Sequence, residues 1–326
     1  MSKASYSLLL LYFMSNLPFE NRKPKILVRE KVKISKFKPR NAEELLNCGI
    51  VNLNKPAPKL SKIAARNVRS ILEIWKAGHA GTLDPAVTGV LPVFLAKATK
   101  LSGILTNAGK EYHCWLRVHD DVSDAKVKSA IKKFSGKIQQ LPPRISAVKR
   151  VVRTREIYYV QWIKREKNTI EVIIGCQAGT YIRKWCHDIG EHLGTGAHMA
   201  KLIRTKAGPF RLKDCVTLDK VKANYATYLK SKKDNLIQEI IQPIESAIDF
   251  LPKVWIDDDV LPRLAHGSPV FSPGILQVED DIKKKDLVVC MTTKNRLASV
   301  GYAEMDSKNM IKSEKGMAVK TDVVML

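Results

Sequence analysis

The sequence predicts an α+β protein: a mixed, largely antiparallel sheet with flanking helices, followed by a small β-barrel-like module. Three observations support this fold class. The chain has 326 residues, 45% of them apolar, which is enough for two domains with buried cores. Its predicted strands outnumber its helices and follow one another directly, which favours an antiparallel sheet over a doubly wound parallel one. After residue 250, short strands alternate with turns at a spacing typical of a small barrel.

The first predicted strand and helix lead into a glycine-rich loop. An apolar run predicts a strand over 48–52, and the prolines that follow end it. Ser61 is the predicted N-cap of a helix over 62–74, because the apolar residues of this stretch fall on one helical face. Residues 78–89 contain three glycines and a proline and are predicted as a loop.

The remaining elements are predicted to complete the sheet and the barrel-like module. Apolar or alternating runs predict further strands over 90–95, 111–119, 157–163 and 169–176. Helical patterns predict helices over 125–134, 180–193 and 236–250. In the tail, the same criteria predict strands over 253–256, 274–278, 286–292, 297–303 and 317–324. A short helix at 263–266 is favoured by the acidic residues 257–259 ahead of it.

Charge is distributed unevenly and indicates a polyanionic partner. Lys and Arg number 56 against 32 Asp and Glu, a net charge of +24. Residues 251–326 contain 11 basic and 11 acidic side chains, so the entire excess precedes them. Such an excess is typical of proteins that bind nucleic acid. We predict a basic N-terminal arm over 1–40, one globular domain over 41–250 and a second over 251–326.

The spacing of cysteines and histidines argues against disulfides and bound metal. The six cysteines are scattered without a C-x-x-C pair, which argues against a disulfide framework and a structural zinc site and favours a reducing compartment. His187 and His192 are five residues apart and share no helical face, so we expect no metal.

The apolar run 6–14 is far shorter than the ~20 residues that span a bilayer. We expect no membrane association, and Met14 is a candidate start because polar, basic sequence follows it.

Two polar residues could form a catalytic pair. The loop at 78–85 lacks a Walker pattern, and its acid, Asp84, would repel a phosphate. Asp84 either serves as a reactive carboxylate or only organises the turn before Pro85. Arg183, near the start of a predicted helix, either reaches this carboxylate and keeps it ionised at neutral pH, or is a solvated helix residue or phosphate contact.

A basic run predicts contacts to a nucleic-acid backbone. Lys149, Arg150, Arg153 and Arg155 place four cations within seven residues, beside two tyrosines. Each phosphate contact releases counterions and so gains free energy. The alternative is a solvated charge run without a partner.

Six motifs in register resemble those of a known enzyme family. In order along the chain they cover 49–56, 78–92, 109–112, 140–150, 178–183 and 196–205. The chain resembles the dyskerin family, the catalytic subunits of H/ACA ribonucleoproteins, within the TruB superfamily of pseudouridine synthases. Residues 265–270 and 273–275 are similar to the PUA domain that ends these proteins. The resemblance implies a pseudouridine synthase fold over 41–250 and an RNA-binding PUA domain over 251–326, where electroneutrality favours binding by shape or a small local patch.

The resemblance also implies roles for individual residues. Asp84 would be the nucleophile or the acid–base group, with Arg183 as its ion-pair partner. Tyr112 would stack on the flipped uracil and assist proton removal from its carbon. The remaining matches are RNA-binding or pocket residues, namely His79 for base eversion, Lys55, Tyr181 and Leu202. An ionised carboxylate can attack the ribose or take a proton from it, and the sequence leaves both routes open.

The resemblance implies isomerisation of uridine to pseudouridine in RNA, with no metal or organic cofactor. The substrate would be rRNA selected by an H/ACA guide RNA, with three small partner proteins: a β-barrel subunit, a zinc-ribbon-like subunit and a kink-turn binder. A second possibility is guide-independent modification of tRNA at uridine 55 in the TΨC loop. A third is a non-catalytic RNA-binding scaffold. The absence of a Lys-rich tail favours an archaeal, cytoplasmic protein over a nucleolar one.

Overall fold

The computed structural model describes residues 16–30, 32–142 and 149–326. In chain order its strands are β1 (Ile26–Val28), β2 (Gly49–Lys55), β3 (Ala77–His79), β4 (Thr88–Leu95), β5 (Lys110–Val118), β6 (Gly136–Gln140), β7 (Arg153–Glu166), β8 (Thr169–Cys176), β9 (Ala197–Ala207), β10 (Phe210–Arg211), β11 (Gln242–Pro243), β12 (Lys253–Ile256), β13 (Val270–Phe271), β14 (Ile275–Glu279), β15 (Leu287–Met291), β16 (Leu297–Ala303) and β17 (Met317–Val324). Its α-helices are α1 (Ala42–Cys48), α2 (Ser61–Ile71), α3 (Ser102–Thr106), α4 (Asp124–Lys133), α5 (Ile182–Leu193), α6 (Leu218–Ser231), α7 (Asp234–Gln238), α8 (Leu261–Ala265) and α9 (Ser307–Lys312).

Two sheets organise these elements. The larger sheet has the strand order β11-β2-β4-β9-β5-β8-β7-β6, with β3 paired to β4 and β10 paired to β9. The smaller sheet has the order β1-β14-β12-β15-β16-β17-β13. Among the described residues, the strand pairs are antiparallel except β4 with β9 and β12 with β15. The predicted α+β class with a mixed, largely antiparallel sheet is therefore confirmed.

Helices cover the larger sheet in two groups. Helices α4 and α5 pack on β5 and β8 through a buried cluster that includes Ile131, Ile174 and Trp185. Helices α1, α2 and α6 pack on β2 and β4 through a second cluster. Both groups hold their strands by apolar contact, and burial of this kind stabilises by about 25 cal/mol per Å² of apolar surface. The junction of β4 with β9, inside the larger sheet, lies between these two groups.

A third apolar cluster joins the two sheets. It combines Phe94 of β4 and Phe210 of β10 with Val289 and Val300 of the smaller sheet. The segment before β1 also contacts both sheets. Leu17 is fully buried, and Arg22 pairs with Glu279 of β14. The predicted domain division remains a prediction, but the described part of the N-terminal stretch packs on the fold.

Three element predictions are wrong, each for a local reason. Ser61 does not cap α2: Leu60 is the N-cap, and the Ser61 hydroxyl is bonded elsewhere. The stretch 236–250 is not one helix, because α7 ends at Gln238 and Pro243 belongs to an edge strand. The predicted loop begins inside β3, whose central glycine gives no strand pattern. Strands β1, β6, β9, β10, β11 and β13 and helices α1, α3, α6 and α9 were not predicted. The apolar run 6–14 and the candidate start at Met14 lie outside the described residues.

Candidate active site

The loop between β3 and β4 carries Asp84 and is held from below by two buried polar side chains. Lys55 is fully buried, and its Nζ donates to the carbonyls of Pro56 (3.1 Å), Lys59 (2.6 Å) and Pro85 (3.0 Å). Ser61, at the first turn of α2, accepts a hydrogen bond from the Leu83 amide (2.8 Å) and donates one to its carbonyl (3.1 Å). The backbone on both sides of Asp84 is therefore fixed.

Asp84 meets Arg183 across the mouth of a pocket. Arg183 lies in the first turn of α5, and its Nη2 donates to Asp84 Oδ2. About half of each side chain is exposed, at 59% for Arg183 and 50% for Asp84. The structure thus brings together the two residues predicted to pair. A carboxylate in contact with a guanidinium and open to solvent is available to a ligand in the pocket.

The pocket is a cavity of about 380 Å³, within the range of small-ligand sites. It brings together predicted site residues from separate elements, namely Asp84, Tyr112, Tyr181, Arg183 and Leu202. Gln140 accepts from the Tyr181 amide (3.0 Å) and donates to its carbonyl (3.1 Å), which fixes the start of α5. The lining is mostly apolar, and the few charged groups are grouped around Asp84 and Tyr112.

Two buried cations, Lys110 and Arg204, line the same pocket and were not predicted. Arg204 lies on β9 directly opposite Tyr112 of β5, so its side chain and the tyrosine ring are neighbours on one face of the sheet. Burial raises the pKa of Tyr112, and the charge of Arg204 opposes this shift. Recognition of β9 would have identified Arg204, because it lies two residues from Leu202 and so faces the same side.

Lys110 is 4% exposed and lies at the start of β5. Its Nζ donates to three backbone carbonyls, those of Leu105 (3.1 Å), Thr106 (2.6 Å) and Ala108 (2.6 Å). Burial, followed by the charge of Arg204, lowers the pKa of Lys110 to about 7. The end of α3 is thereby tied to the strand that carries Tyr112. No sequence pattern distinguishes this lysine from the exposed ones.

His79 and Lys55 lie behind the pocket and do not line it. His79 belongs to β3 opposite Val93, and its buried Nδ1 has no hydrogen-bond partner among the described residues. Burial, together with the charge of Arg204, lowers the pKa of His79, so its ring is neutral at pH 7. Lys55 supports the loop through backbone bonds, so in this conformation it offers no donor to RNA.

The basic run extends from the surface to the pocket rim. Lys149 and Arg150 are exposed, while Arg153 and Arg155 begin β7. Arg155 lies against Gly179, where a Cβ would be 3.1 Å from its guanidinium. Gly179 also has φ +78°, so a glycine is favoured there for both reasons. Arg155 is therefore placed beside the pocket, whereas Lys149 and Arg150 are open to a longer ligand.

A metal site and a membrane span were also sought within the described residues. In that part of the chain, no three His, Cys, Asp or Glu side chains lie close enough to hold a metal ion. All six cysteines are free thiols. None of the described helices is long and apolar enough to cross a membrane.

Family profiles match most of the chain. The profile of the TruB family pseudouridylate synthase (N terminal domain) matches residues 69–182. That of the tRNA pseudouridylate synthase B C-terminal domain matches 183–249, and that of the PUA domain matches 252–325.

Relatives and solved structures match along nearly the full length. The chain is 42% identical to a probable tRNA pseudouridine synthase B of Methanopyrus kandleri over 88% of this chain and 85% of that protein. It is also 42% identical to one of Pyrococcus abyssi, over 85% and 84%. Its fold is similar to a chain in the crystal structure of a Cbf5-Nop10-Gar1 complex, with a TM-score of 0.88, 39% identity and coverage of 95% and 96%. A chain of an H/ACA ribonucleoprotein bound to a substrate RNA containing 2′-deoxyuridine matches with a TM-score of 0.87, 37% identity and coverage of 95% and 97%.

Proposed function

This chain belongs to the TruB family of pseudouridylate synthases, and we propose that it isomerises uridine in RNA with Asp84 as the reacting carboxylate. The observation that carries this proposal is the Asp84–Arg183 pair at the mouth of a pocket that also contains Tyr112. A neighbouring guanidinium favours the ionised form of a carboxylate. The fixed loop backbone around Asp84 provides the preorganisation that such a group requires.

The reaction requires the uridine to leave its stack, because its glycosidic bond is inaccessible in a folded RNA. The bond between the ribose and the ring nitrogen then breaks, the base turns, and a ring carbon joins the ribose. Asp84 either attacks the ribose carbon or removes a proton from the ribose, and both routes begin with an ionised carboxylate. Arg183 holds that carboxylate in place, and the apolar pocket wall at Leu202 packs near the detached base.

We propose that Tyr112 handles the proton of the ring carbon. Its ring lines the pocket, and Arg204 lies directly opposite it on β9. Tyr181 lines the pocket at the start of α5, beside Arg183, and completes the pocket wall. No step in this scheme uses a metal or an organic cofactor.

We propose that the natural substrate is rRNA presented by an H/ACA guide RNA, with small partner proteins. The support is the similarity, at 37–39% identity, to chains in a Cbf5-Nop10-Gar1 complex and in an H/ACA ribonucleoprotein bound to substrate RNA. The partners would be the β-barrel, zinc-ribbon-like and kink-turn-binding subunits. The basic excess before residue 251 suits a backbone-binding protein whose sequence readout is left to the guide.

A second candidate substrate is tRNA, at uridine 55 of the TΨC loop, modified without a guide. The names of the relatives in Methanopyrus kandleri and Pyrococcus abyssi favour it, since both are probable tRNA pseudouridine synthases B. A purely structural scaffold is disfavoured, because RNA binding alone has no use for a half-exposed carboxylate inside a basic pocket. We also propose that the protein is cytoplasmic, which its similarity to these archaeal proteins supports.

The test is an assay of pseudouridine on two substrates. The purified chain is incubated with uridine-labelled tRNA and with an rRNA fragment, with and without guide RNA and the small proteins. Product on rRNA only with guide and partners supports the guided particle, and product on tRNA with the chain alone supports the second candidate. No product on either RNA under any condition would contradict the proposed activity.

A further inference from the structure

Arg204 joins three elements of the site from beneath the pocket. It projects from β9 and is 1% exposed. Its Nε donates to the Val90 carbonyl of β4 (2.7 Å), and its Nη2 donates to the Gly81 carbonyl of the Asp84 loop (3.2 Å). The same side chain lies directly opposite Tyr112 of β5, and both residues line the pocket. Gly89 permits this arrangement, since a Cβ there would be 2.2 Å from the Arg204 carbonyl oxygen.

The charge of this guanidinium is buried without an acidic partner. Its hydrogen bonds go to two backbone carbonyls, and no described carboxylate forms a salt bridge with it. A buried charge without a counter-ion is costly, and in a water-poor site its field acts strongly on the groups beside it. Tyr112 is one of these groups.

We propose that Arg204 is a positioning residue for the reaction: it holds the Tyr112 oxygen at a fixed place beside the Asp84 loop and sets a positive charge against it. This inference rests on the proposed role of Tyr112. A guanidinium has only donors, so the Tyr112 oxygen accepts, and its own proton is directed away from Arg204.

The placement of charge suits the proton balance of the reaction. Pseudouridine formation moves one proton from the ring carbon that joins the ribose to the ring nitrogen that leaves it. The Tyr112 phenol gives its proton to that nitrogen, becomes a phenolate, and then takes the proton from the carbon, whose C–H electron pair returns to the ring. No outside acid or base is consumed. Arg204 stabilises the phenolate between the two transfers, as a fixed charge does in a dry site.

A double-mutant cycle tests whether Arg204 acts through the Tyr112 hydroxyl. We expect Arg204→Lys to lower the single-turnover rate by about tenfold or more, with RNA affinity within about threefold. In a Tyr112→Phe background, the same change should lower the rate by less than about twofold, because the hydroxyl is already gone. Equal factors in both backgrounds would overturn the proposal in favour of a structural role.

A matched control is Arg165→Lys. Arg165 also bonds two backbone carbonyls, those of Val122 (2.6 Å) and Lys167 (2.6 Å), but it lies away from the pocket lining. Any loss that Arg165→Lys causes through stability should be the same in the wild-type and Tyr112→Phe backgrounds. If the effect of Arg165→Lys differed between the wild-type and Tyr112→Phe backgrounds, the cycle would be reporting a loss of stability. That result would count against the proposal.

A second measurement needs no change at Arg204 and no activity. 3-Fluorotyrosine is placed at 112 or at 159 in the full chain, and its fluorine resonance is followed against pH. Tyr159 is partly buried, and burial together with the hydrogen bond that its hydroxyl donates to Glu111 (2.5 Å) raises its pKa. We expect the probe at 112 to ionise at the lower pH. Ionisation at the same or a higher pH would overturn the proposal, whereas a wild-type chain that makes no pseudouridine would contradict the proposed function instead.

Discussion

At the scale of single residues, replacing Asp84 should strongly lower the rate of catalysis and leave RNA affinity nearly unchanged. Asp84→Asn keeps the shape of the side chain and an oxygen for Arg183, but it removes the carboxylate charge. We expect product formation to fall by roughly 1000-fold or more, as is typical of essential catalytic groups. RNA affinity, measured by filter binding, should change by less than about threefold, because the half-exposed Asp84 contributes no positive charge to the interface. A parallel loss of affinity would make Asp84 structural.

Lys110 predicts a pH dependence of stability. Its pKa falls from 10.5 when unfolded to about 7 when folded, so the folded chain binds fewer protons between these values. The free energy of unfolding therefore gains a contribution that rises with pH from about 7 to 10.5 and is flat below. In Lys110→Met this slope, at most about 1.4 kcal/mol per pH unit, should be lost. Urea denaturation at pH 7, 8 and 9 measures it, with the exposed Lys132→Met as control. An unchanged slope in Lys110→Met would contradict the assignment.

At the scale of elements, the sequence patterns were sufficient where one face of an element is apolar. Strands β12, β16 and β17 have the predicted bounds, because each is an apolar or alternating run flanked by turn residues. Strand β9 could not be predicted in this way, since Arg204 occupies one of its inward positions and interrupts the apolar pattern. Asp84, Tyr112 and Arg183 were predicted from motifs, whereas Arg204 and Lys110 were missed because buried cations look like surface cations in a sequence.

The Ser61 side chain connects helix α2 to the loop that carries Asp84. Ser61→Ala leaves the buried amide and carbonyl of Leu83 without partners, which costs about 1–3 kcal/mol. We expect a lower midpoint of thermal unfolding and a lower single-turnover rate, because the backbone beside Asp84 loosens. Ser70→Ala on the same helix is the control, since Ser70 is exposed. Equal effects of the two substitutions would exclude this role of Ser61.

The start of β7 and the residues before it predict a salt-dependent interface. Neutralising Lys149, Arg150, Arg153 and Arg155 to Gln should weaken RNA binding and reduce the slope of log K against log salt by up to about 0.9 per lost phosphate contact. Lys283, Lys284 and Lys285, exposed in the electroneutral tail, form the control set. An unchanged slope in the first variant would remove this run from the interface.

At the scale of the whole molecule, several contacts join the two sheets. Two of them are the apolar cluster that contains Phe94 and Val300 and the N-terminal segment before β1. In that segment, Glu20 bonds to Lys206 (3.2 Å) and Arg211 (2.9 Å) of the larger sheet. Two residues further on, Arg22 bonds to the smaller sheet, so the segment ties the sheet that carries the pocket to the one that matches a PUA domain.

The last prediction concerns this tie. Arg22 Nη2 pairs with Glu279 (2.7 Å), its Nε pairs with Asp281 (2.8 Å), and its Nη1 donates to the Phe250 carbonyl (3.1 Å). Arg22→Gln removes the nearer of two cations beside the buried Glu279, leaving Lys253 at 3.9 Å, and we expect it to lower the free energy of unfolding by about 2 kcal/mol. Lys23→Gln, with the same charge change at an exposed neighbour, should change it by less than about 0.5 kcal/mol.

The Arg22 contacts also predict how the stability difference between wild type and Arg22→Gln depends on pH. The bond from Arg22 holds the pKa of Asp281 below its ordinary value of 3.8. A carboxyl of this kind stabilises the fold above its unfolded pKa, and the contribution is lost as pH falls through the folded pKa. Denaturant titrations from pH 7 to 2.5 should therefore show the gap between wild type and Arg22→Gln narrowing below about pH 4. A gap that stays constant over this range would mean that Arg22 stabilises the tie through packing and its carbonyl bond, and not through the carboxylates of the smaller sheet.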